Sequence, residues 1–358
     1  MKKILLAAYS LDVGGIETAL ITLLKHLAPK YDITLVLEKK EGIFLESVPD
    51  GVNIITFEPC KLKFAPIRKL INFYKQQKFK LKYGNKFDFS ACYTTYSLPS
   101  SFVARCASQN SALWVHNNYM DFYDQDIKKY KDFFNSLKAD QFKKIVFVSK
   151  FDMNMFNVYF HNFKHKTMFC NNLIDYESII QKSNEKNNQN KGNNSYTFIN
   201  IGRHDEKQKK LTRIINATKK LNKEGYKFNV AFIGDGLDTQ KYKELSKKVK
   251  NIFFLGRKKN PYPYLKNSDC LLMSSSFEGY PVVFVEAMIL GKPIVTTDVS
   301  DAKNDIDGKY GIVVENSENG VYEGMKNFLE NGFTPEKFSA EEFNKEIMEK
   351  LDKIIVDS

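Results

Sequence analysis

Residues 274–298 read SSSFEGYPVVFVEAMILGKPIVTTD. The run CLLM at 270–273 leads into the serines and is apolar throughout, as a strand buried on both faces must be. A tight turn follows at Glu278-Gly279-Tyr280-Pro281. VVFVEAMIL then has the length and apolar density of a buried helix, and Gly291 stops it. PIVTTD opens the next strand. A strand, turn, helix and strand in such close succession form a β-α-β unit, which imposes a parallel sheet. Loops leaving the carboxyl ends of parallel strands are where ligands gather, so Glu278 falls at a candidate site before any chemistry is considered.

The same cycle recurs on both sides of this stretch. Upstream lie the strand YTFINIG (196–202), a helical pattern over 211–221, and the strands FNVAFIG (228–234), IFFLG (252–256) and DCLLMSS (269–275). The N-terminal half runs in parallel: an apolar strand over 3–9, a turn with Gly14-Gly15, the helical GIETALITLLKHL, the strand DITLVLE, and further strands over 88–93, 111–116 and 144–149. Between the halves stands SNEKNNQNKGNNS (183–195), which has no apolar residue. The expected division is a Rossmann-like domain over 1–182, a linker or loop over 183–195, a second Rossmann-like domain over 196–335, and a C-terminal segment over 336–358. That segment carries helical apolar spacing over 340–355 and must dock on a partner that spacing does not name.

With 358 residues, 43% of them apolar and 14% aromatic, the chain can fill two cores. Its net charge of +12 calls for an anionic partner: nucleic acid, an anionic membrane surface or a phosphorylated ligand. Nine cations fall within 60–86 (Lys61, Lys63, Arg68, Lys69, Lys75, Lys78, Lys80, Lys82, Lys86) with no acid among them, interleaved with Phe64, Ile67, Leu70, Phe73 and Tyr74. Such a segment suits an anionic membrane or a diphosphate-bearing acceptor, and equally a solvated helix face. Cys60, Cys92, Cys106, Cys170 and Cys270 are odd in number and lack a CxxC pair, which argues against a disulfide framework or zinc site and fits a reducing cytoplasm. MKKILLAAYSL opens as a signal peptide would, but Asp12 and Gly14-Gly15 interrupt it without a cleavage site, so it is read as the first buried strand. No run reaches the roughly 18 apolar residues of a membrane-spanning helix, and membrane contact is expected to be peripheral.

The strand-end loops offer anion chemistry. Gly202-Arg203 ends one strand, and Lys209 stands at the entrance to the next helix; a guanidinium fork and an ammonium converging there would grip a diphosphate. The plainer alternative is a solvated basic loop shared with Lys207 and Lys210. The N–H groups of Val282 and Val283 fall where the following helix begins, as phosphate ligands require. Glu286 lies on an apolar helix and needs a partner, either ribose hydroxyls or a neighbouring lysine. Asp124-Gln-Asp126 and Asp305-Ile-Asp307 have the D-x-D spacing of metal-dependent transferases, yet neither follows a strong apolar strand, and both read as surface or turn. His161 and His165 lack a third ligand, so no metal site is expected. Tyr262, Pro263 and Tyr264 read as packing residues, and Arg257 as a residue near a nucleotide base.

Together these residues resemble the retaining glycosyltransferase family 4, glycosyltransferases group 1, which has the α/β GT-B fold: two Rossmann-like, doubly wound domains facing each other across a cleft. EGYPVVFVE matches that family's E-x7-E motif, and GRHDEKQK its Gly-Arg…Lys motif. Gly234-Asp235-Gly236, NPYPYLKNSD and EAMILGKPIVTTD follow in the family's order, so the resemblance covers 196–316. It implies a donor site in the C-terminal domain and an acceptor side in the N-terminal one. Arg203 and Lys209 would hold the donor diphosphate with Gly279, Val282 and Val283, Glu286 the ribose, and Glu278 a sugar hydroxyl near the anomeric carbon. Gly14-Gly15 resembles the family's glycine-rich first loop, with Gly15 close to the donor phosphates. His116, in ALWVHNN, stands where the family often has a histidine beside the transferred sugar, and is paired with Glu278 as catalytic. No metal and no cofactor are implied. Leu173 replaces the glycine of the family's Asn-Gly-Val-Asp-like turn, which leaves Asn172 without an assigned role.

The expectation is thus a metal-independent, retaining hexosyltransferase at the inner face of the cytoplasmic membrane. It would move a hexose or N-acetylhexosamine from a UDP-sugar, or next a GDP-sugar, to a glycan or polyprenyl-diphosphate-linked acceptor in cell-surface polysaccharide, capsule or teichoic-acid-type synthesis. A nucleic-acid-binding protein would explain the charge but not Glu278 and Glu286 alongside Arg203 and Lys209. An inactive partner subunit would not need those four, and a nicotinamide dehydrogenase would need a GxGxxG that the chain lacks.

Overall fold

The computed structural model describes residues 1–12, 14–186 and 195–356. The chain divides between Ile174 and Asp175 into two units, the first of which also takes the residues from Phe343 on.

The first unit is built on a seven-stranded parallel sheet: β1 (Lys3–Ala8), β2 (Asp32–Leu37), β3 (Asn53–Thr56), β4 (Phe89–Cys92), β5 (Ser111–Val115), β6 (Lys144–Phe147) and β7 (Thr167–Phe169), in the order β3-β2-β1-β4-β5-β6-β7. β1, β4, β5 and β6 lie inside the sheet and are buried almost end to end, which is why each reads as an unbroken apolar run. Helix α1 (Gly15–Leu27) follows β1 and buries Leu20, Leu23, Leu24 and Leu27. Helix α2 (Ala65–Tyr83) leads from β3 to β4 and buries Phe79 alone.

The second unit repeats the plan with β8 (Tyr196–Ile201), β9 (Phe228–Ile233), β10 (Ile252–Gly256), β11 (Cys270–Met273), β12 (Ile294–Thr297) and β13 (Gly311–Val314), ordered β10-β9-β8-β11-β12-β13. Phe198, Val230, Phe232, Leu272 and Val295 of this sheet meet Ile214, Leu221, Met325 and Phe328 in one buried cluster. Strand order reverses between β8 and β11, so the loops after these two strands flank the switch point where doubly wound sheets bind ligands. The loop after β8 carries Arg203 and Lys209; the loop after β11 carries Glu278.

The units divide ahead of the asparagine-rich stretch. The helix Tyr176–Ser183 packs on Tyr262–Asn267 and Val282–Ile289, inside the second unit, and residues 187–194 of the expected linker lie outside the described residues. Composition marks a solvated loop there, whereas the division itself follows side-chain packing. The C-terminal helix Ala340–Val356 belongs with the first unit from Phe343 on and buries Ile347, Leu351, Ile354 and Ile355. Asn344 brackets Ile174, accepting from its N–H at 3.1 Å and donating to its carbonyl at 2.8 Å. The Lys144 ammonium donates to the Ile354 carbonyl at 2.7 Å, placing a cation at the negative end of that helix. Among the described residues no helix is long and apolar enough to cross a membrane.

Candidate functional site

Two glycines set the loop after β8 in place. Gly234 has φ of +142°, and a Cβ there would lie 1.8 Å from the Gly202 carbonyl oxygen. At Gly236 a Cβ would lie 2.2 Å from the His204 oxygen. Only glycine lets the two backbones approach so closely. His204 is fully buried, with Nδ1 2.9 Å from Thr239 Oγ1, and anchors the loop from within.

Serines of the β11 loop lace it to the first loop. Ser274 Oγ donates to the Lys209 carbonyl at 2.8 Å, and Ser276 donates from its N–H to the Gln208 carbonyl at 2.8 Å and from Oγ to that of Lys207 at 2.9 Å. This places Glu278 opposite Lys209. The Glu278 carboxylate is buried and accepts from Lys209 Nζ at 2.5 Å, Ser275 Oγ at 2.6 Å and Gln208 Nε2 at 3.1 Å. Gln208 also accepts from Arg203 Nη2 at 3.2 Å, so one amide joins the guanidinium to the carboxylate. Arg203 itself is exposed, 3.7 Å from Asp205.

The helix Val282–Ile289 starts at Pro281 with no side-chain cap, which leaves the Val282 and Val283 N–H groups outside the helical ladder. Gly279, just before it, is buried and its carbonyl accepts from Ser300 Oγ. One turn into the helix the Glu286 carboxyl is buried, and its Oε1 accepts from the Tyr262 hydroxyl at 3.1 Å. Burial pushes its pKa up to about 7, with the Tyr262 bond acting in the opposite direction. The carboxyl is therefore balanced between its two forms near neutrality. Tyr262, which the sequence marked as packing, is a polar partner of this group; its hydroxyl chemistry was visible, its reach was not. Gln208 and Ser275 likewise escaped notice, although the SSS run at a strand end and the glutamine between Arg203 and Lys209 were the available signals.

In the first unit, His116 follows β5 and is buried against Tyr93, the ring centroids 4.6 Å apart. Neither ring nitrogen has a hydrogen-bond partner among the described residues, and burial lowers its pKa to about 3 while the Tyr93 backbone opposes the shift. It is a neutral imidazole, able to donate once and accept once. Gly15 is the exposed first residue of α1. Asn172 accepts from the Tyr93 hydroxyl at 3.3 Å.

One aspartate of each D-x-D pair serves the backbone. Asp126 caps the helix Ile127–Ser136, accepting from the Lys129 N–H at 3.1 Å, and Asp307 accepts from the Val313 N–H at 3.0 Å. No group of three His, Cys, Asp or Glu among the described residues is placed to hold a metal ion. Arg257 lies 3.8 Å from Asp235, both exposed.

Two Rossmann-like parallel-sheet units, the second with carboxylates and cations gathered at its switch point, make up the GT-B fold. Residues 181–345, a little under half of the chain, match the family described as Glycosyl transferases group 1. It is 31% identical over 206 residues to an uncharacterized glycosyltransferase of Methanocaldococcus jannaschii, a match spanning 54% of this chain and 49%, about half, of that protein. Over 351 residues it is 24% identical to the N-acetylgalactosamine-N,N'-diacetylbacillosaminyl-diphospho-undecaprenol 4-alpha-N-acetylgalactosaminyltransferase of Campylobacter jejuni, covering 92% of this chain and 91% of that one. Anabaena HepE, crystallised in complex with UDP and glucose, shares the fold with a TM-score of 0.77 over 98% of this chain and 100% of its own, at 17% identity.

Proposed function

We propose that the protein transfers a hexose or N-acetylhexosamine from a nucleotide sugar, UDP-linked before GDP-linked, to a glycan or lipid-linked acceptor in the building of cell-surface polysaccharide, capsule or teichoic-acid-type polymer. The observation that carries this is the Arg203–Gln208–Glu278–Lys209 chain at the switch point, with Glu286 one helical turn beyond. A departing nucleoside diphosphate needs its growing negative charge stabilised. Lys209 and Arg203 would supply positive charge, and the Val282 and Val283 N–H groups would supply donors at a helix start. Glu286 would accept from ribose hydroxyls. Glu278 would fix a sugar hydroxyl.

In this reading transfer proceeds with retention and without a metal. The acceptor oxygen attacks the anomeric carbon on the face that the diphosphate leaves, the C–O bond to the phosphate breaks with its electron pair, and the departing oxygen takes the acceptor's proton. His116, neutral, orients the sugar by hydrogen bonding. The UDP and glucose bound by HepE and the diphospho-undecaprenol acceptor of the Campylobacter relative support the choice of donor and acceptor classes. With an acceptor on a lipid carrier, the enzyme works at the cytoplasmic face of a membrane, which the basic segment 60–86 would meet.

The test is thermal unfolding against UDP-, GDP-, ADP- and CMP-sugars with EDTA present, on wild type and Glu286→Ala. A ligand at a hundredfold excess over its Kd stabilises by about 3 kcal/mol. Stabilisation by one nucleotide class, kept in EDTA and lost in the variant, is the expected result. The anomeric proton coupling of the product then reads retention directly. No stabilisation of folded wild type by any donor overturns the proposal.

A further inference from the structure

The helix α2 turns an apolar stripe away from its own unit. At roughly 100° per residue, Arg68, Asn72, Gln76, Phe79 and Tyr83 share one face. Phe79 is buried there, packed on Phe57 and Phe102, and the other four are half-buried; Asn72 accepts from the Cys60 N–H at 2.6 Å. This is the attached face. Ile67, Leu70, Tyr74 and Leu81 fall within roughly 60° of one another, centred about 180° from it. They are 48%, 69%, 67% and 83% exposed, and exposed Leu62, Phe64 and Phe73 extend the patch. Lys80 and Lys69 flank the patch beyond Phe73 on one side, and Lys78 and Lys82 flank the stripe on the other.

An ordinary surface helix turns its apolar stripe to the core and its charges to water. Here the attached face holds a single buried phenylalanine, and the outward face is a contiguous apolar patch of the kind that marks an interaction surface. Charge selects the partner. Residues 60–86 hold nine cations and no acid, and among the described residues Lys61 alone makes an ion pair, with exposed Glu58 at 3.2 Å. An apolar centre between two lysine margins matches a helix lying in the plane of a bilayer interface, where acyl chains take the stripe and headgroup phosphates take the ammonium groups.

We infer that α2 is a membrane-surface helix. It lies along an anionic bilayer with Ile67, Leu70, Tyr74 and Leu81 in the acyl boundary and Lys69, Lys78, Lys80 and Lys82 at the phosphates. The inference rests on the membrane-side part of the proposed function, and deepens it by naming the residues and the lipid charge.

Flotation of the full chain with vesicles tests it. Wild type is expected to bind phosphatidylcholine vesicles containing about 30% phosphatidylglycerol roughly a hundredfold more tightly than phosphatidylcholine alone, and to lose most of that gain in roughly 0.5 M salt. The variant Leu70→Ser/Tyr74→Ser/Leu81→Ser should bind the anionic vesicles about tenfold or more weaker at low salt. The variant Lys69→Glu/Lys78→Glu/Lys80→Glu should lose about a hundredfold. All replaced side chains are exposed, so the unfolding midpoint should not move. Failure of wild type to bind anionic vesicles, or wild-type binding by the serine variant, overturns the inference. Stabilisation of the same preparations by a UDP-sugar without lipid reads the donor proposal separately, so either can fail while the other stands.

Discussion

Lys209 Nζ sits 2.5 Å from Glu278 Oε1, with 16% and 8% of the two side chains exposed, so the cation and the carboxylate hold each other. On the proposed function, a diphosphate arriving at Lys209 would compete with Glu278 for the same ammonium. Glu278 keeps Ser275 and Gln208 as donors throughout, which lowers the cost of releasing the lysine.

Removing one partner of this pair leaves an uncompensated buried charge. Lys209→Met should destabilise the protein by about 3 kcal/mol in urea unfolding, whereas Lys209→Met/Glu278→Gln should recover most of that loss. Donor binding should remain lost in both. Recovery of binding together with stability in the double variant would show that the pair is structural only.

The loop after β8 depends on Gly234, which the sequence marks within Gly234-Asp235-Gly236 without giving it a role. Gly234→Ala brings a Cβ against the Gly202 carbonyl at a positive φ, so it should cost about 2–4 kcal/mol and weaken donor binding through displacement of Arg203 and Lys209. Gly225→Ala also has positive φ, +92°, but meets nothing within 4 Å. It should cost about 1 kcal/mol and leave donor affinity unchanged.

Much of this site could be read in the sequence, for a definite reason. β11 and β12 are buried on both faces, so CLLM and IVTT stand out as apolar runs, and the loop between them is located by elimination. Glu278 and Glu286 then stand out as acids in apolar surroundings. Their partners do not: Tyr262 precedes Glu286 by 24 positions on another helix, and Gln208 differs from its neighbours only in where its amide points. The C-terminal helix shows the same gap. Its spacing marked an apolar face, but the choice of the first unit depends on Lys144, Asn110 and Ile174 meeting it, pairings more than 160 positions apart. The edge strands β3 and β7 were missed because their residues are only half-buried and carry weak alternation. The exposure of α2's apolar stripe was equally invisible, since spacing defines a face without saying which way it turns.

His116 and Glu286 pull stability in opposite directions with pH. Burial holds His116 neutral, with a pKa near 3 in place of 6.5, so the unfolded chain binds more protons between those values and stability falls as pH drops from about 6.5 toward 3, by up to about 5 kcal/mol. His116→Leu should flatten the acid limb of a plot of unfolding midpoint against pH. In wild type, the His116 ring resonances should not titrate between about pH 5 and 9. An imidazole pKa above 5 would contradict the packing against Tyr93.

Glu286 is protonated more readily in the fold than in the unfolded chain, about 7 against 4.5, so folded protein binds the extra proton and stability falls as pH rises between those values, by about 3 kcal/mol. Glu286→Gln should therefore be more stable than wild type above about pH 7 and show no such fall. Donor binding should run the other way, because ribose hydroxyls donate best to the ionised carboxylate. At about pH 6 only about a tenth of Glu286 is ionised, so calorimetry should find the nucleotide sugar roughly tenfold weaker there than at about pH 8, with proton release on binding near neutrality. Tyr262→Phe removes the bond that favours the carboxylate, so it should move this affinity profile toward higher pH, leaving the high-pH plateau nearly unchanged. Glu286→Gln should abolish the profile altogether. A donor affinity that stays flat across neutrality in wild type would take Glu286 out of the ribose site, since no other arrangement of a half-ionised buried carboxylate on that ligand would leave the affinity indifferent to pH.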